Sequence, residues 1–295
     1  MKSGTVAILG RPNVGKSTLV NTLVNQKIAI VSNTPQTTRS RILGVAHCPQ
    51  GQLALLDTPG LHKPWTRLNK RMVRAALGAV DDADILAVMV DSSRRPDASD
   101  RFVVEQIFST PRRRDGLPVF LLVNKIDVVN KVKMLPGLEA YQALAPWTEI
   151  VPLSAQTGLN VERVTALMFD RLEERDAAFD DDFVTDQPWR HLAAEIIREK
   201  IIDATTAELP YAVAVQVDAF QEEGRLVRIA ASIFVERHGQ KTIVIGKAGS
   251  RLREIGTAAR LELSQALARK VFLHLHVKVK SAWCEDDRLL AELGY

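Results

Sequence analysis

The sequence predicts two domains of different class: an α/β domain on a mostly parallel sheet with helices on both faces, then a smaller α+β domain. Three observations carry this. Short apolar runs alternate with helical or loop stretches through the first half of the chain. An acidic, low-propensity segment, Asp176–Pro188, interrupts that alternation. Beyond it, long runs alternate apolar and polar residues at period two between helical patterns. The expected boundaries are 1–175 for the first domain, 176–188 for a linker and 189–295 for the second domain. The alternative for the acidic segment is an exposed loop inside one domain.

The first strand is expected at Thr5–Leu9, where Val6-Ala7-Ile8-Leu9 is short and continuously apolar, as in a strand buried on both faces. It runs into Gly10-Arg11-Pro12-Asn13-Val14-Gly15-Lys16-Ser17, the pattern G-x-x-x-x-G-K-[ST]. From Thr18 onward, Leu19 and Leu23, and Val20 and Val24, recur at helical spacing. The motif therefore falls between a strand and a helix N-terminus, where backbone N–H groups and the helix dipole favour a phosphate chain. Lys16 is expected to reach the β- and γ-phosphates and the Ser17 hydroxyl to ligate Mg²⁺. A glycine-rich turn is the alternative. Further strands are expected at Gln52–Leu56, Ile85–Val90, Val119–Val123 and Glu149–Leu153. Ligands bind beyond the carboxyl ends of such strands, and the motifs that follow fall there.

Asp57-Thr58-Pro59-Gly60 follows the apolar run Leu53–Leu56. An Asp at this place holds Mg²⁺ through water, and the glycine N–H can contact the γ-phosphate. Before it lies Thr34-Pro35-Gln36-Thr37-Thr38-Arg39, in which one threonine is expected to ligate Mg²⁺ when a γ-phosphate is present. Thr38 is preferred over Thr37, and a surface turn begun by Pro35 is the alternative. Asn124-Lys125-Ile126-Asp127 follows Val119–Val123 and selects the base. The Asp127 carboxylate can accept from guanine N1–H and the 2-amino group, which adenine does not offer. Asn124 can brace the loop and contact the ring, and the Lys125 stem can cover the base face. Ser154-Ala155 would bring the Ala155 N–H near guanine O6. Alone, Asn124–Asp127 could be an ordinary strand-to-helix turn.

In the second domain, Trp189, Leu192, Ala193, Ile196, Ile197 and Ile201 mark one face of a helix. Tyr211–Phe220 and Arg225–Arg237 alternate at period two around Glu222-Glu223-Gly224, a hairpin signal. Thr242–Ile245 leads into Gly246-Lys247-Ala248-Gly249, a long helix to about Arg269, and the alternating run Val271–Lys280. The order is α-β-β-α-α-β. A G-x-x-G loop lets backbone approach nucleic-acid phosphates and clamps about four nucleotides of single-stranded RNA. Between Gly246 and Lys280 eight Lys or Arg stand against two acids, a plausible phosphate-contact surface. A solvated helix face with a tight turn is the alternative. His274, His276, Lys278 and Lys280 share one strand face and read as a wet or RNA-facing surface rather than a metal site.

Composition narrows the classes. Net charge is +4 with a pI of about 9.1, compatible with nucleic acid but no proof of it. Two cysteines near opposite ends form no ligand pattern and fit a reducing cytosol. No signal peptide is visible, and no apolar run is long enough to span a bilayer.

Together these residues resemble the translation-factor-like GTPases and, within them, the bacterial Era family, over almost the whole chain. Gly10–Ser17, Thr37-Thr38-Arg39, Asp57–Gly60, Asn124–Asp127 and Ser154-Ala155 carry the resemblance in the first domain. Gly246–Gly249 carries it in the second, which is similar to a KH domain. The resemblance implies a P-loop GTPase domain followed by a type II KH domain. It implies a nucleotide site spanning Gly10–Thr18, Asp57–Leu61, Asn124–Asp127 and Ser154-Ala155, with Lys16, Thr38, Gly60 and Asn13 as candidate catalytic residues. Ser17, Thr38 and Asp57 would be the metal ligands, and Gly246, Lys247, Ala248, Gly249, Arg251 and Arg253 the RNA contacts.

Many small GTPases place a water-orienting Gln where this chain has Leu61, followed by His62. Leu61 cannot hydrogen-bond water, so slow intrinsic hydrolysis is expected. In related GTPases an Asn at the position of Asn13 helps hold K⁺, which acts like an arginine finger. An Asn that bonds its own loop is the alternative. The resemblance further implies GTP and GDP as ligands and Mg²⁺ as cofactor. It implies a ribosome-assembly switch that grips a single-stranded segment near the 3′ end of small-subunit ribosomal RNA in the 30S subunit, in a cytoplasmic monomer with peripheral contact at the inner face of the cell membrane. The competing reading is an RNA-binding module whose nucleotide is structural. A third, an ATP-using kinase, conflicts with Asp127.

Overall fold

The apolar runs become the strands of a six-stranded sheet in the computed structural model, which describes residues 1–32, 34, 37–110, 115–205 and 209–295. The strands are β1 (Lys2–Gly10), β2 (Ile42–Cys48), β3 (Gly51–Asp57), β4 (Ile85–Asp91), β5 (Val119–Asn124) and β6 (Glu149–Pro152). They lie in the order β2-β3-β1-β4-β5-β6. Every pairing is parallel except β2 with β3. Both faces are covered, which is why the inner strands read as unbroken apolar runs. Val6 and Ile8 of β1 join a cluster with Leu19 and Val20 of α1 (Lys16–Val24). Ala7 and Leu9 face the opposite cluster, with Ala76 of α2 (Arg67–Gly78) and Val103 and Ile107 of α3 (Ala98–Phe108). The remaining helices of this part are α4 (Lys131–Gln142) and α5 (Val161–Asp170).

Strand β2 is not among the expected strands. Its run, Ile42–Cys48, contains Gly44 and His47 and lies toward the sheet edge, where one side meets little core. The acidic segment explains how that edge is closed. The Val45 N–H donates to the Val184 carbonyl at 2.8 Å, and the Thr185 hydroxyl donates to the Leu43 carbonyl at 2.6 Å. Gln52, 2% exposed, accepts from the Ala178 and Phe179 amides and donates to the Phe179 carbonyl at 2.7 Å. The stretch read as a linker is thus strapped along the sheet as far as Asp186, with Asp180, Asp181 and Asp182 exposed. Its low propensity reflects a segment held by side-chain and edge bonds rather than by its own helix or strand.

The chain folds as two units: Met1–Ala29, Thr38–Trp65 and Asn69–Asp186 form the first, and Ile30–Thr37, Thr66–Leu68 and Gln187–Tyr295 the second. The second contains α6 (Trp189–Ala204), α7 (Leu209–Ala212), β7 (Ala214–Glu223), β8 (Leu226–Val235), α8 (His238–Ile245), α9 (Ser250–Ala266), β9 (Lys270–Val279) and α10 (Asp287–Glu292). Its sheet runs β7-β8-β9, antiparallel then parallel. Tyr211, expected in the first of these strands, lies instead in the short α7, and β7 starts at Ala214. The turn and helix after β9 were not legible. Trp283 there is fully buried and donates its indole N–H to the Ala212 carbonyl at 2.9 Å.

Candidate nucleotide and RNA sites

The loop between β1 and α1 takes a path that most side chains forbid. Gly10, Asn13 and Gly15 have φ of 147°, 63° and 101°. A Cβ on Gly15 would lie 2.2 Å from Asn124 Nδ2. Gly15 caps α1 with no side-chain bond, so no cap side chain competes with an anion at that helix N-terminus. Lys16 folds back over the loop, its Nζ donating to the Arg11 carbonyl at 2.9 Å and the Gly10 carbonyl at 3.3 Å. Burial pushes its ammonium down to about 8, against the opposing pull of Asp57. The Arg11 side chain is committed elsewhere, to Asp97 at 2.7 Å and Asp100 at 2.9 Å on the α3 side. That hydrogen bond holds the Asp97 carboxyl well below the usual carboxylate range.

At the end of β3, three oxygens converge. Ser17 Oγ donates to Asp57 Oδ2 at 2.6 Å and lies 2.8 Å from Thr38 Oγ1, which is 3.3 Å from the same carboxylate oxygen. The Thr37 hydroxyl turns away and donates to the Thr34 carbonyl at 2.8 Å, so Thr38 is the threonine at the cluster. Pro35 and Gln36 lie outside the described residues. Asp57 is fully buried, which raises its pKa, and its Oδ1 has no hydrogen-bond partner among the described residues. A buried carboxylate oxygen without a partner is costly unless a cation or donor meets it. Two hydroxyls and a carboxylate are hard oxygen ligands, the set that suits Mg²⁺. The Ser17, Thr38 and Asp57 residues therefore fit that ion.

After Asp57 the chain is pinned against the loop. The Thr58 hydroxyl donates to the Ile8 carbonyl at 2.6 Å, and the Leu61 N–H to the Gly10 carbonyl at 3.0 Å. A Cβ on Gly60 would meet Pro12 N at 2.5 Å, so only glycine admits this approach. Leu61 is 1% exposed and belongs to the apolar cluster under α2 and α3. His62 Nδ1 lies 2.8 Å from the Gly60 carbonyl oxygen, its ring edge-on to Trp65.

The strand-end loops after β5 and β6 are joined by Asn124. Its Nδ2 donates to the Val14 carbonyl at 2.7 Å, and its Oδ1 accepts from the Ala155 N–H at 2.8 Å. The Thr22 hydroxyl donates to the Ala155 carbonyl at 2.9 Å. The Ala155 amide, expected near guanine O6, donates to Asn124, and Asp127, the expected acceptor for the base, is exposed. Lys125 has φ of 70° and its Nζ donates to Asp91 at 2.7 Å, which steers the stem. Asp91 ends an apolar run and could have been singled out on that ground. Thr22 carries no signal that distinguishes it from any helix threonine.

In the second unit Gly246, Ala248 and Gly249 all have left-handed φ (72°, 50° and 76°), forming the tight turn between α8 and α9. Lys247, Ala248 and Arg253 are exposed there. Arg251, expected as an RNA contact, donates through Nη1 to the Ile243 carbonyl at 2.7 Å, near the end of α8. On β9, Phe272, His274, His276 and Lys278 are exposed at alternate positions, with the Arg228 guanidinium 5.6 Å from the Phe272 ring centroid.

Comparison with known proteins agrees with this geometry. The family model described as a 50S ribosome-binding GTPase matches residues 5–125, and the KH domain model matches residues 208–284. "GTPase Era" of Geobacter metallireducens is 46% identical over 100% of this chain and 98% of its own length. "GTPase Era" of Syntrophus aciditrophicus is 44% identical over 100% of this chain and 95% of its own. A crystal structure of Era in complex with MgGDPNP and nucleotides 1506–1542 of 16S ribosomal RNA aligns with a TM-score of 0.94 at 39% identity, covering 100% of this chain and 99% of that one. A variant of Aquifex aeolicus Era bound to GDP·AlF₄⁻ aligns with a TM-score of 0.94 at 38% identity and the same coverage.

Proposed function

This chain belongs to the Era family of GTPases, and we propose that it is a slow GTP-hydrolysing switch controlling grip on single-stranded small-subunit ribosomal RNA near its 3′ end, during assembly of the 30S subunit. The observation that carries the reading is the Ser17–Thr38–Asp57 cluster around the buried Asp57 carboxylate, whose Oδ1 has no hydrogen-bond partner among the described residues, at the N-terminus of α1. Residues 1–175 carry the nucleotide chemistry, 189–295 the RNA grip, and 176–188 the connection.

Hydrolysis transfers the γ-phosphoryl group to water, breaking its bond to the β-phosphate and releasing GDP and phosphate. Mg²⁺ held by Ser17, Thr38 and Asp57 would supply charge neutralisation to the phosphates. Lys16 binds the β- and γ-phosphates, and the Gly60 N–H faces the γ-phosphate. Asp127 reads guanine. Leu61 is locked in the core and orients no water, so catalysis rests on positioning and charge. Asn13, with φ of 63°, would help hold K⁺. Equal rates in matched KCl and NaCl would remove that role. Gly246–Gly249 with Lys247 and Arg253 clamps the RNA backbone.

Multiple-turnover hydrolysis with and without 30S subunits tests the switch: stimulation by the subunit is expected. The burial of Leu61 also favours a second reading, an RNA-binding protein that barely turns GTP over. Absent turnover in both arms would select it. Crosslinking to total RNA with GTP or GDP bound, followed by sequencing, identifies the RNA segment. We extend the reading to a cytoplasmic monomer with peripheral contact at the inner membrane face, which fractionation and liposome flotation test.

A further inference from the structure

The phosphate loop is tied to α3 from its outer side. Arg11 Nη1 donates to Asp97 Oδ1 at 2.7 Å and to Asp100 Oδ2 at 2.9 Å. Asp97 is the N-cap of α3, and its Oδ1 also accepts from the Ser99 N–H at 2.7 Å and the Asp100 N–H at 3.3 Å. Asp100 closes the reciprocal bond, its Oδ2 accepting from the Asp97 N–H at 3.1 Å. This capping box is complete with backbone N–H groups alone, so the bonds from Arg11 add a tie between helix and loop that capping does not require. The Asp100 carboxylate is 2% exposed, and its second cation, Arg94, stands farther off, with Nη2 3.7 Å from Oδ1. A carboxylate this buried is costly unless a cation meets it, which holds Arg11 in place.

The Arg11 backbone is in turn the reference for two groups assigned to the phosphates. Lys16 Nζ donates to the Arg11 carbonyl at 2.9 Å and the Gly10 carbonyl at 3.3 Å. An ammonium carries three donors, so bonds to two fixed carbonyls direct the third. The next residue, Pro12, is the one against which Gly60 seats, since a Cβ on Gly60 would lie 2.5 Å from Pro12 N. The proline ring fixes φ, so a shift of Arg11 passes into Pro12 instead of being absorbed by that torsion.

We propose that Asp97 and Asp100 are positioning residues for GTP hydrolysis: through the Arg11 side chain they anchor the phosphate loop to the N-terminus of α3, which aims Lys16 and Gly60 at the γ-phosphate. This rests on the GTPase reading above. Every residue involved lies in the first unit.

The test uses the full chain. Asp97→Asn keeps a good N-cap, because asparagine caps as well as aspartate, and removes the charge that faces Arg11. Arg11→Met removes the donor and keeps an aliphatic stem, and the two changes are then combined. Single-turnover hydrolysis is measured at saturating GTP, alongside thermal unfolding of the nucleotide-free protein. The Asp97 side chain is 50% exposed and its pair is screened by water, so Asp97→Asn should slow hydrolysis about three-fold. Its melting temperature should stay within about 2 °C of wild type. Arg11→Met loses both charge-assisted bonds and should be about ten-fold slower. The combined variant should be no slower than Arg11→Met, because Asp97 acts on the rate only through Arg11. An unchanged rate in Asp97→Asn overturns the proposal and leaves capping as the whole role of that residue. Losses that multiply in the combined variant overturn it as well. Arg11→Met leaves Asp100 short of a cation, and if it fails to fold, Asp97→Asn decides the matter alone. Absence of GTP turnover in the wild-type protein would instead sink the parent reading.

Discussion

Asn124→Ala separates bracing from base contact. The Asn124 side chain is 3% exposed and closes two bonds: Nδ2 to the Val14 carbonyl at 2.7 Å and the Ala155 N–H to Oδ1 at 2.8 Å. Val14 and Ala155 are each 1% exposed, so neither group regains water when the side chain is cut. Each stranded buried backbone group costs about 1–3 kcal/mol, so the expected loss is about 3 kcal/mol. For a unit of this size that lowers the melting temperature by about 6–12 °C. The loss must appear in nucleotide-free protein, because both partners belong to the chain. Urea unfolding without nucleotide, followed by far-UV circular dichroism, measures it as a lower midpoint at unchanged slope. Nucleotide affinity should fall as well, since the loop between β1 and α1 loses its tie to the Ser154-Ala155 loop. A nucleotide-free midpoint equal to wild type, with only GTP binding impaired, would show that Asn124 acts on the base and that the bracing argument fails.

The other predictions test neighbouring links. Asp127→Asn, at an exposed position, should leave nucleotide-free stability within about 0.5 kcal/mol while weakening GTP binding and favouring xanthine nucleotides; unchanged GTP affinity in a filter-binding assay contradicts its role. Gly249→Asp puts a side chain and a negative charge at φ of 76° beside the RNA clamp, and should abolish RNA binding by gel shift with GTP binding retained. Burial lowers the Lys16 pKa to about 8, and polyphosphate favours its charged form, so binding takes up a proton above that pH. GDP affinity should be flat below about pH 8 and fall up to about ten-fold per pH unit above it, and a flat profile to about pH 9.5 refutes the coupling.

The nucleotide chemistry was readable because its pieces are contiguous. A phosphate loop needs its glycines, lysine and hydroxyl within a short stretch between strand and helix, while Asp57 closes one apolar run and Asn124–Asp127 directly follows another, each run marking a strand. The period-two runs and Gly246–Gly249 announced the second domain for the same local reason. Thr38 and Thr37 were different in kind: both were candidates by sequence, and only folding turned one hydroxyl to Asp57 and the other to the Thr34 carbonyl.

Arg11, Arg251 and the Ala155 amide show the limit. Each was named as a ligand contact by its motif, and each also bonds a group the local sequence does not specify: Asp97 and Asp100, the Ile243 carbonyl, and Asn124. The acidic segment 176–186 read as loose because local propensity is blind to Gln52, which lies 126 residues from Ala178 and anchors it. Local pattern thus settled which chemistry the chain carries, since strand ends, glycine turns and carboxylates act over a few residues. Which side chains remain available for that chemistry depended on contacts as far apart as the 126 residues between Gln52 and Ala178. Those contacts exist only after burial makes an unpaired polar group costly.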